Sequence, residues 1–266
     1  MNPEGIRTDM YKHRGKAEYQ KVLNVPEDYV VDGFVAIGTH PKDKEYPHLY
    51  EALEKLGLQY TEEKIEQRFF GDIKSFRIGD KRVWFDVVYG AAYLSEVAHL
   101  GCLLGSKVNI LLGTCGALHE DLNSGDTILP FASYGNESAT RMYQRENTTY
   151  LYESDAELRA KLKGHLSNRT RVDEGKLVTV QAMLGETKED VDQWAREGYS
   201  AVDMESATFF AVSKHFNVPA AALLLAADNL IKNELVNDPG YETLRTQRTA
   251  IRKENYEIAL KTILDI

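Results

Sequence analysis

Cysteine, long apolar runs and surplus positive charge are all scarce in this 266-residue chain. Cys102 and Cys115 show no metal-ligand spacing and sit in apolar or glycine-rich contexts, which reads as two structural thiols in a reducing compartment. No run approaches the ~20 apolar residues of a membrane span. The N-terminal stretch MNPEGIRTDMYKHRGKAEYQ is polar, without the apolar core of a signal peptide, so the expected location is cytoplasmic. A formal net charge of -9 excludes broad electrostatic capture of nucleic acid or anionic lipid, so an anionic ligand must be small and met by a local positive pocket. Internal repeats, low-complexity tracts and Gly/Ser/Pro linkers are also missing.

What is present is alternation. Short apolar runs rich in β-branched residues recur as YVVDGFVAIG, KRVWFDVVYG, VNILLGTCG, DTILPFASY, KLVTVQAML and PAAALLLAAD. Near-continuous runs of this kind suit strands buried on both faces of a sheet. Between them lie segments with helical spacing: YPHLYEALEKLG, YLSEVAHLGCLLG, DAELRAKLKGHL, TKEDVDQWAREG and a long C-terminal segment from Tyr241. The pattern predicts one three-layer α/β domain over residues 30–266, with a largely parallel sheet, preceded by a polar extension over 1–29. Ligands bind such sheets at the carboxyl ends of strands. Those ends are expected at Gly38, Gly90, Gly113, Met183, Met204 and Asp228.

Several of these ends carry chemistry. In LLGTCGAL, two glycines bracket Thr114 and Cys115, so backbone N–H groups and the Thr114 hydroxyl can face an anion; the same sequence also suits a plain turn. FVAIGTHPKDKEY repeats the logic, with Gly38 followed by Lys42 as a point charge for phosphate or as a solvated surface lysine. Asp228 closes the most apolar run, where desolvation would make it a proton donor near neutrality; helix or turn capping is the structural alternative. In YSAVDMESATFFAVSKHF, Asp203 and Glu205 stand where a strand turns into a helix. Glu205 can accept two hydrogen bonds from a ribose diol while the helix dipole stabilises it, whereas Asp203 reads as a residue of the helix's positive end.

With GTCGAL, VDMESA and AADN in this order, the chain resembles the nucleoside phosphorylase-I family from about Val30 to the C-terminal helix. That family takes in purine nucleoside phosphorylases, uridine phosphorylases and methylthioadenosine/S-adenosylhomocysteine nucleosidases. The resemblance implies a single α/β domain around a central mixed sheet and a homo-oligomer, either a dimer or a hexamer built as a trimer of dimers. It also implies a pentosyltransferase that cleaves a purine ribonucleoside with phosphate, the co-substrate, to base and ribose 1-phosphate, with no metal or organic cofactor. By the same resemblance, Gly38 and Thr114 belong to the two phosphate loops, with Lys42 near an expected arginine. Arg68 falls where a neighbouring subunit lends an arginine to phosphate. Glu205 and Met204 hold the ribose, Gln181 and Met183 line the base, and Asp228 protonates it with help from Arg248. The chain departs from phosphorylases at Leu111, where they carry an arginine. The nucleosidases also lack that arginine and use a carboxylate near the first loop to activate water, a place that Asp43 or Glu45 can hold. Hydrolysis is therefore the alternative activity, and a non-catalytic nucleoside-binding protein is the alternative of another class.

Overall fold

The structure is a computed structural model and describes residues 11, 14–39, 42–65, 73–166, 169, 171–236 and 238–265. Its elements run α1 (Lys16–Leu23), β1 (Gly33–Gly38), α2 (Lys42–Lys55), β2 (Tyr60–Glu63), β3 (Lys74–Ile78), β4 (Lys81–Val88) and α3 (Ala91–Leu103). They continue with β5 (Asn109–Ala117), β6 (Thr127–Ile128), β7 (Ala132–Tyr134), α4 (Ser138–Tyr143), β8 (Leu151–Glu153) and α5 (Ala156–Gly164). The last third holds β9 (Val172–Asp173), β10 (Lys176–Thr179), α6 (Lys188–Arg196), β11 (Tyr199–Asp203), α7 (Ser206–His215), β12 (Ala220–Asn229), α8 (Pro239–Thr243) and α9 (Arg245–Leu264).

The described strands form one mixed sheet, ordered β2-β3-β4-β1-β5-β11-β10-β7-β8, with β12 on β5 and β6 bridging β12 to β9. Strands β4, β1, β5 and β12 run parallel, as their uninterrupted apolar character predicts. One face packs α3 and α7 over Phe34, Trp84 and Leu111, and Tyr19 and Leu23 of α1 join that core. The polar N-terminal extension is thus anchored along its described part. The other face packs α2, α5 and α9 over Val35, Phe85 and Leu112. Helix α7 is buried from Ser206 to Val212 and beyond to Ser213, a consequence of an apolar sequence that leaves no polar stripe.

Two expected strands are shorter than their apolar runs. DTILPFASY divides into β6 and β7 around Pro130, which has no N–H for a ladder. KLVTVQAML pairs only through Thr179, because its partners β7 and β11 end at Tyr134 and Asp203. Beyond that point the chain makes a 3-10 turn over Met183–Gly185.

The site follows from how β5 changes neighbours. Strand β1 pairs with β5 in parallel from Asn109 to Gly113 and then ends at Gly38. Strand β11 takes up the same edge at Gly116 and Ala117, running antiparallel. The carboxyl ends of β1 and β11 therefore converge head-on along β5. Such a change of strand neighbour opens a crevice between the connecting loops.

Candidate active site

Glu205 occupies that convergence. It is 4 % exposed, and a Cβ on Gly38 would stand 2.9 Å from its Oε2, so only glycine lets β1 end against this carboxylate. Its Oε1 accepts a 2.7 Å hydrogen bond from the N–H of Gly90, which begins α3 at φ 79°, a conformation that favours glycine. Burial, and then the charge of neighbouring Asp203, push the Glu205 carboxyl well above the ordinary glutamate range.

Asp203 does the structural work at the same junction. Its Oδ1 accepts from Thr179 Oγ1 at 2.7 Å and its Oδ2 from the Ser206 N–H at 2.9 Å, which caps α7. Burial raises its pKa while these bonds oppose the rise. With Asp203 capping the helix, the Glu205 side chain is released to face Gly38 and Gly90.

Gln181 is a clamp across the loops. Its Oε1 accepts from the Ala91 N–H at 2.8 Å and its Nε2 donates to the Met204 carbonyl at 2.7 Å. Met204 is half-buried between Asp203 and Glu205. Met183 is not drawn into this group: in the 3-10 turn it is 52 % exposed, and Leu184 beside it is 95 % exposed.

Asp228 lies on the other side of β5. The register of β12 against β5 slips between Ala226 and Asp228, which places Asp228 opposite Gly116. A bulge of this kind re-aims a side chain at a strand end. A Cβ on Gly116 would stand 3.2 Å from Asp228 Oδ1, and the Val236 N–H donates to Oδ2 at 3.3 Å. Burial raises the Asp228 pKa from 3.8 to about 6, with the Val236 N–H and Arg248 opposing. Arg248 acts through space: its guanidinium donates to Ser124 Oγ at 3.1 Å and to the Tyr241 carbonyl at 2.7 Å, and stacks 3.5 Å from the Tyr241 ring centroid. Ser124 in turn donates to the Ala227 carbonyl at 2.6 Å, so Arg248 braces the bulge that carries Asp228.

Sequence reasoning missed Glu186. It follows the 3-10 turn, is half-buried, and has its pKa raised to about 7 by burial and by the charge of Asp228. The missed signal was the end of β10 at Thr179, which turns the following segment toward Asp228 instead of extending the sheet.

The residues expected around phosphate are arranged less simply. Gly113 packs on Gly38, and Thr114 follows it, lining a small cavity with Thr39, Glu45, Arg252, Asn255 and Tyr256. Lys42 is committed elsewhere: its Nζ pairs at 2.9 Å with Asp86, a fully buried carboxylate that also accepts from Tyr93 OH at 2.7 Å. Of the two carboxylates considered for water activation, Glu45 reaches the cavity and is 2 % exposed. Asp43 is exposed in the first turn of α2. Leu111 is buried in the core on the α3 and α7 side. Arg68 lies outside the described residues.

Comparison with known proteins identifies the family and the fold. The sequence profile of the Phosphorylase superfamily matches residues 88–263, and the chain belongs to that superfamily. A DeoD-type purine nucleoside phosphorylase of Geobacillus sp. (strain WCH70) is 25 % identical over 198 residues, covering 74 % of this chain and 80 % of the relative. A guanosine phosphorylase of Halorubrum lacusprofundi is 26 % identical over 163 residues, 61 % of this chain and 65 % of the relative. The fold is that of uridine phosphorylase from Vibrio fischeri ES114, with TM-score 0.71, 18 % identity and coverage of 93 % and 98 % of the two chains. It is also that of the Campylobacter jejuni 5'-methylthioadenosine/S-adenosyl homocysteine nucleosidase, with TM-score 0.68, 16 % identity and coverage of 89 % and 100 %. Among the described residues no helix is long and apolar enough to cross a membrane.

Proposed function

We propose that the protein cleaves the N-glycosidic bond of a purine ribonucleoside with phosphate, giving free base and ribose 1-phosphate. One observation carries the reading: two buried carboxylates, Glu205 and Asp228, flank β5 where β1 ends, and burial disfavours the charged form of each. Asp228 holds its proton near neutrality and gives it to a ring nitrogen as the bond from the anomeric carbon to the base breaks and its electron pair moves to the base. General acid catalysis of this kind is typically worth ~10²–10⁴-fold. Glu205 grips the ribose diol, and positive charge developing on the sugar favours its ionised form. A phosphate oxygen then bonds to the anomeric carbon from the opposite face. Met204 and Gln181 shape the ribose and base side, and Arg248 holds the Asp228 bulge in place. The scheme uses no metal or organic cofactor.

Glu186 bears on the choice of base. A carboxylate on the Asp228 side accepts from ring and exocyclic N–H donors, which guanine offers together at its N1 and N2 positions. This supports a preference for guanosine over adenosine, in line with a guanosine phosphorylase among the relatives.

Hydrolysis is the second reading, favoured by the Glu45 carboxylate beside Thr114 and Gly113. The deciding assay incubates the protein with guanosine, inosine, adenosine, uridine and methylthioadenosine, with and without phosphate, and identifies base and sugar products. Purine release that rises with phosphate and yields ribose 1-phosphate is expected. Equal release without phosphate, with free ribose as product, refutes phosphorolysis, and no release under either condition refutes catalysis. A homo-oligomer and a cytoplasmic setting go with this reading; light scattering on the purified protein checks the first.

A further inference from the structure

We infer that Arg252 of α9 supplies the phosphate-binding charge of this site, and that Glu45 is a resident carboxylate which phosphate must displace from it. The inference rests on phosphate being the acceptor. It starts from a shortage of uncommitted cations among the described residues expected around phosphate. Leu111 offers no charge, and Lys42 is bound to the buried Asp86. Arg252, by contrast, lines the same cavity as Gly113, Thr114 and Thr39, entering from the α9 side.

The local bonding suits an exchangeable anion. Arg252 Nη1 donates to Glu45 Oε1 at 2.7 Å, and Tyr256 OH donates to Glu45 Oε2 at 2.8 Å. A guanidinium carries five N–H donors in a planar fork. Among the described residues that one bond to Glu45 is its only hydrogen bond, and the Arg252 side chain remains 33 % exposed. Asn255 adds a further donor: its Oδ1 accepts from Arg169 Nη2 at 2.7 Å, which orients the amide and leaves Nδ2 for the cavity that Asn255 lines. Arg252, Asn255 Nδ2 and the Thr114 hydroxyl thus form a donor set for a tetrahedral oxyanion. A phosphate dianion brings more charge and more acceptor oxygens than one carboxylate, so it can take the guanidinium from Glu45. Until it does, Glu45 neutralises the cation and repels phosphate.

The test is a pair of opposite shifts in the KM for inorganic phosphate. Glu45→Gln keeps an acceptor for Tyr256 and removes the competing charge, so the phosphate KM should fall about tenfold or more. Arg252→Gln should raise it by about the same factor, with the nucleoside KM little changed. Because Arg252→Gln leaves Glu45 buried without its counter-ion, the double variant Glu45→Gln/Arg252→Gln serves as the control for folding, and it should share the raised phosphate KM. A merely structural ion pair would shift kcat and both KM values together, or lower stability alone, and would overturn the proposal. So would a phosphate KM that ignores Arg252 while base release stays phosphate-dependent, a result that leaves phosphorolysis standing. Phosphate-independent release of base and free ribose, abolished in Glu45→Gln, would assign Glu45 to water activation and overturn proposal and phosphorolysis together.

Discussion

Replacing Asp228 with asparagine should cost activity and add stability, and the added stability should depend on pH. Asparagine keeps the shape and an oxygen for the Val236 N–H, but has no proton to titrate. At 9 % exposure, Asp228 is raised by burial from 3.8 to about 6. In the unfolded chain the same carboxyl ionises near 3.8. Between these values the folded state binds more protons than the unfolded state, so stability falls as pH rises. The neutral carboxyl's advantage is fully present below about pH 4 and is lost as pH passes 6. The accumulated cost is about 3 kcal/mol at pH 8, and roughly half of it is incurred between pH 5 and pH 8. Urea unfolding of parent and Asp228→Asn at pH 5 and pH 8 measures this directly. The variant should be the more stable at pH 8, by a margin larger than at pH 5 by on the order of 1 kcal/mol. Purine release should meanwhile drop by about 10²–10⁴-fold with nucleoside binding retained. A stability margin that is the same at both pH values would show an ordinary aspartate and remove the ground for Asp228 as the acid.

Glu205→Gln should weaken ribonucleosides more than 2′-deoxyribonucleosides, because one of the lost hydrogen bonds serves the 2′ hydroxyl; equal losses in kcat/KM for the two sugars would make Glu205 structural. Gly38→Ala should disturb the same carboxylate from the opposite side, since the new methyl would stand 2.9 Å from Glu205 Oε2. Its kcat/KM for purine ribonucleosides should fall at least tenfold while the unfolding midpoint moves little, and unchanged kinetics would show that Glu205 has room to retreat.

The sequence determined the layers and the chemistry of strand ends. Apolar runs long enough to be buried on both faces identify β1, β4, β5 and β12, and helical periodicity identifies α2, α3, α5, α6 and α9, because each pattern is a local record of burial. Ordered short motifs brought Glu205, Asp228 and Thr114 into view: Glu205 and Asp228 stand where an apolar strand stops, whereas β5 runs past the end expected at Gly113 to Ala117 and carries Thr114 within it. The polar edge strand β2 left no such record, since an edge strand can be exposed along its length, as β2 is over Tyr60–Glu62, and the short β3 between it and β4 alternates polar and apolar residues without a continuous apolar run. Tertiary structure alone decided which strand ends meet. The exchange of β1 for β11 along β5 sets Gly38 against Glu205, though 167 residues separate them in the chain. It also divided the two acids of VDMESA, giving Asp203 to the helix and Glu205 to the cleft. Lys42 and Arg252 show the limit most clearly. Both are lysine or arginine within charged helical segments, and nothing local separates a cation that neutralises a buried aspartate from one that lines the cavity beside Thr114. That difference comes from long-range packing of α2 against β4 and α9, where the partner of each charge is supplied by a distant part of the chain.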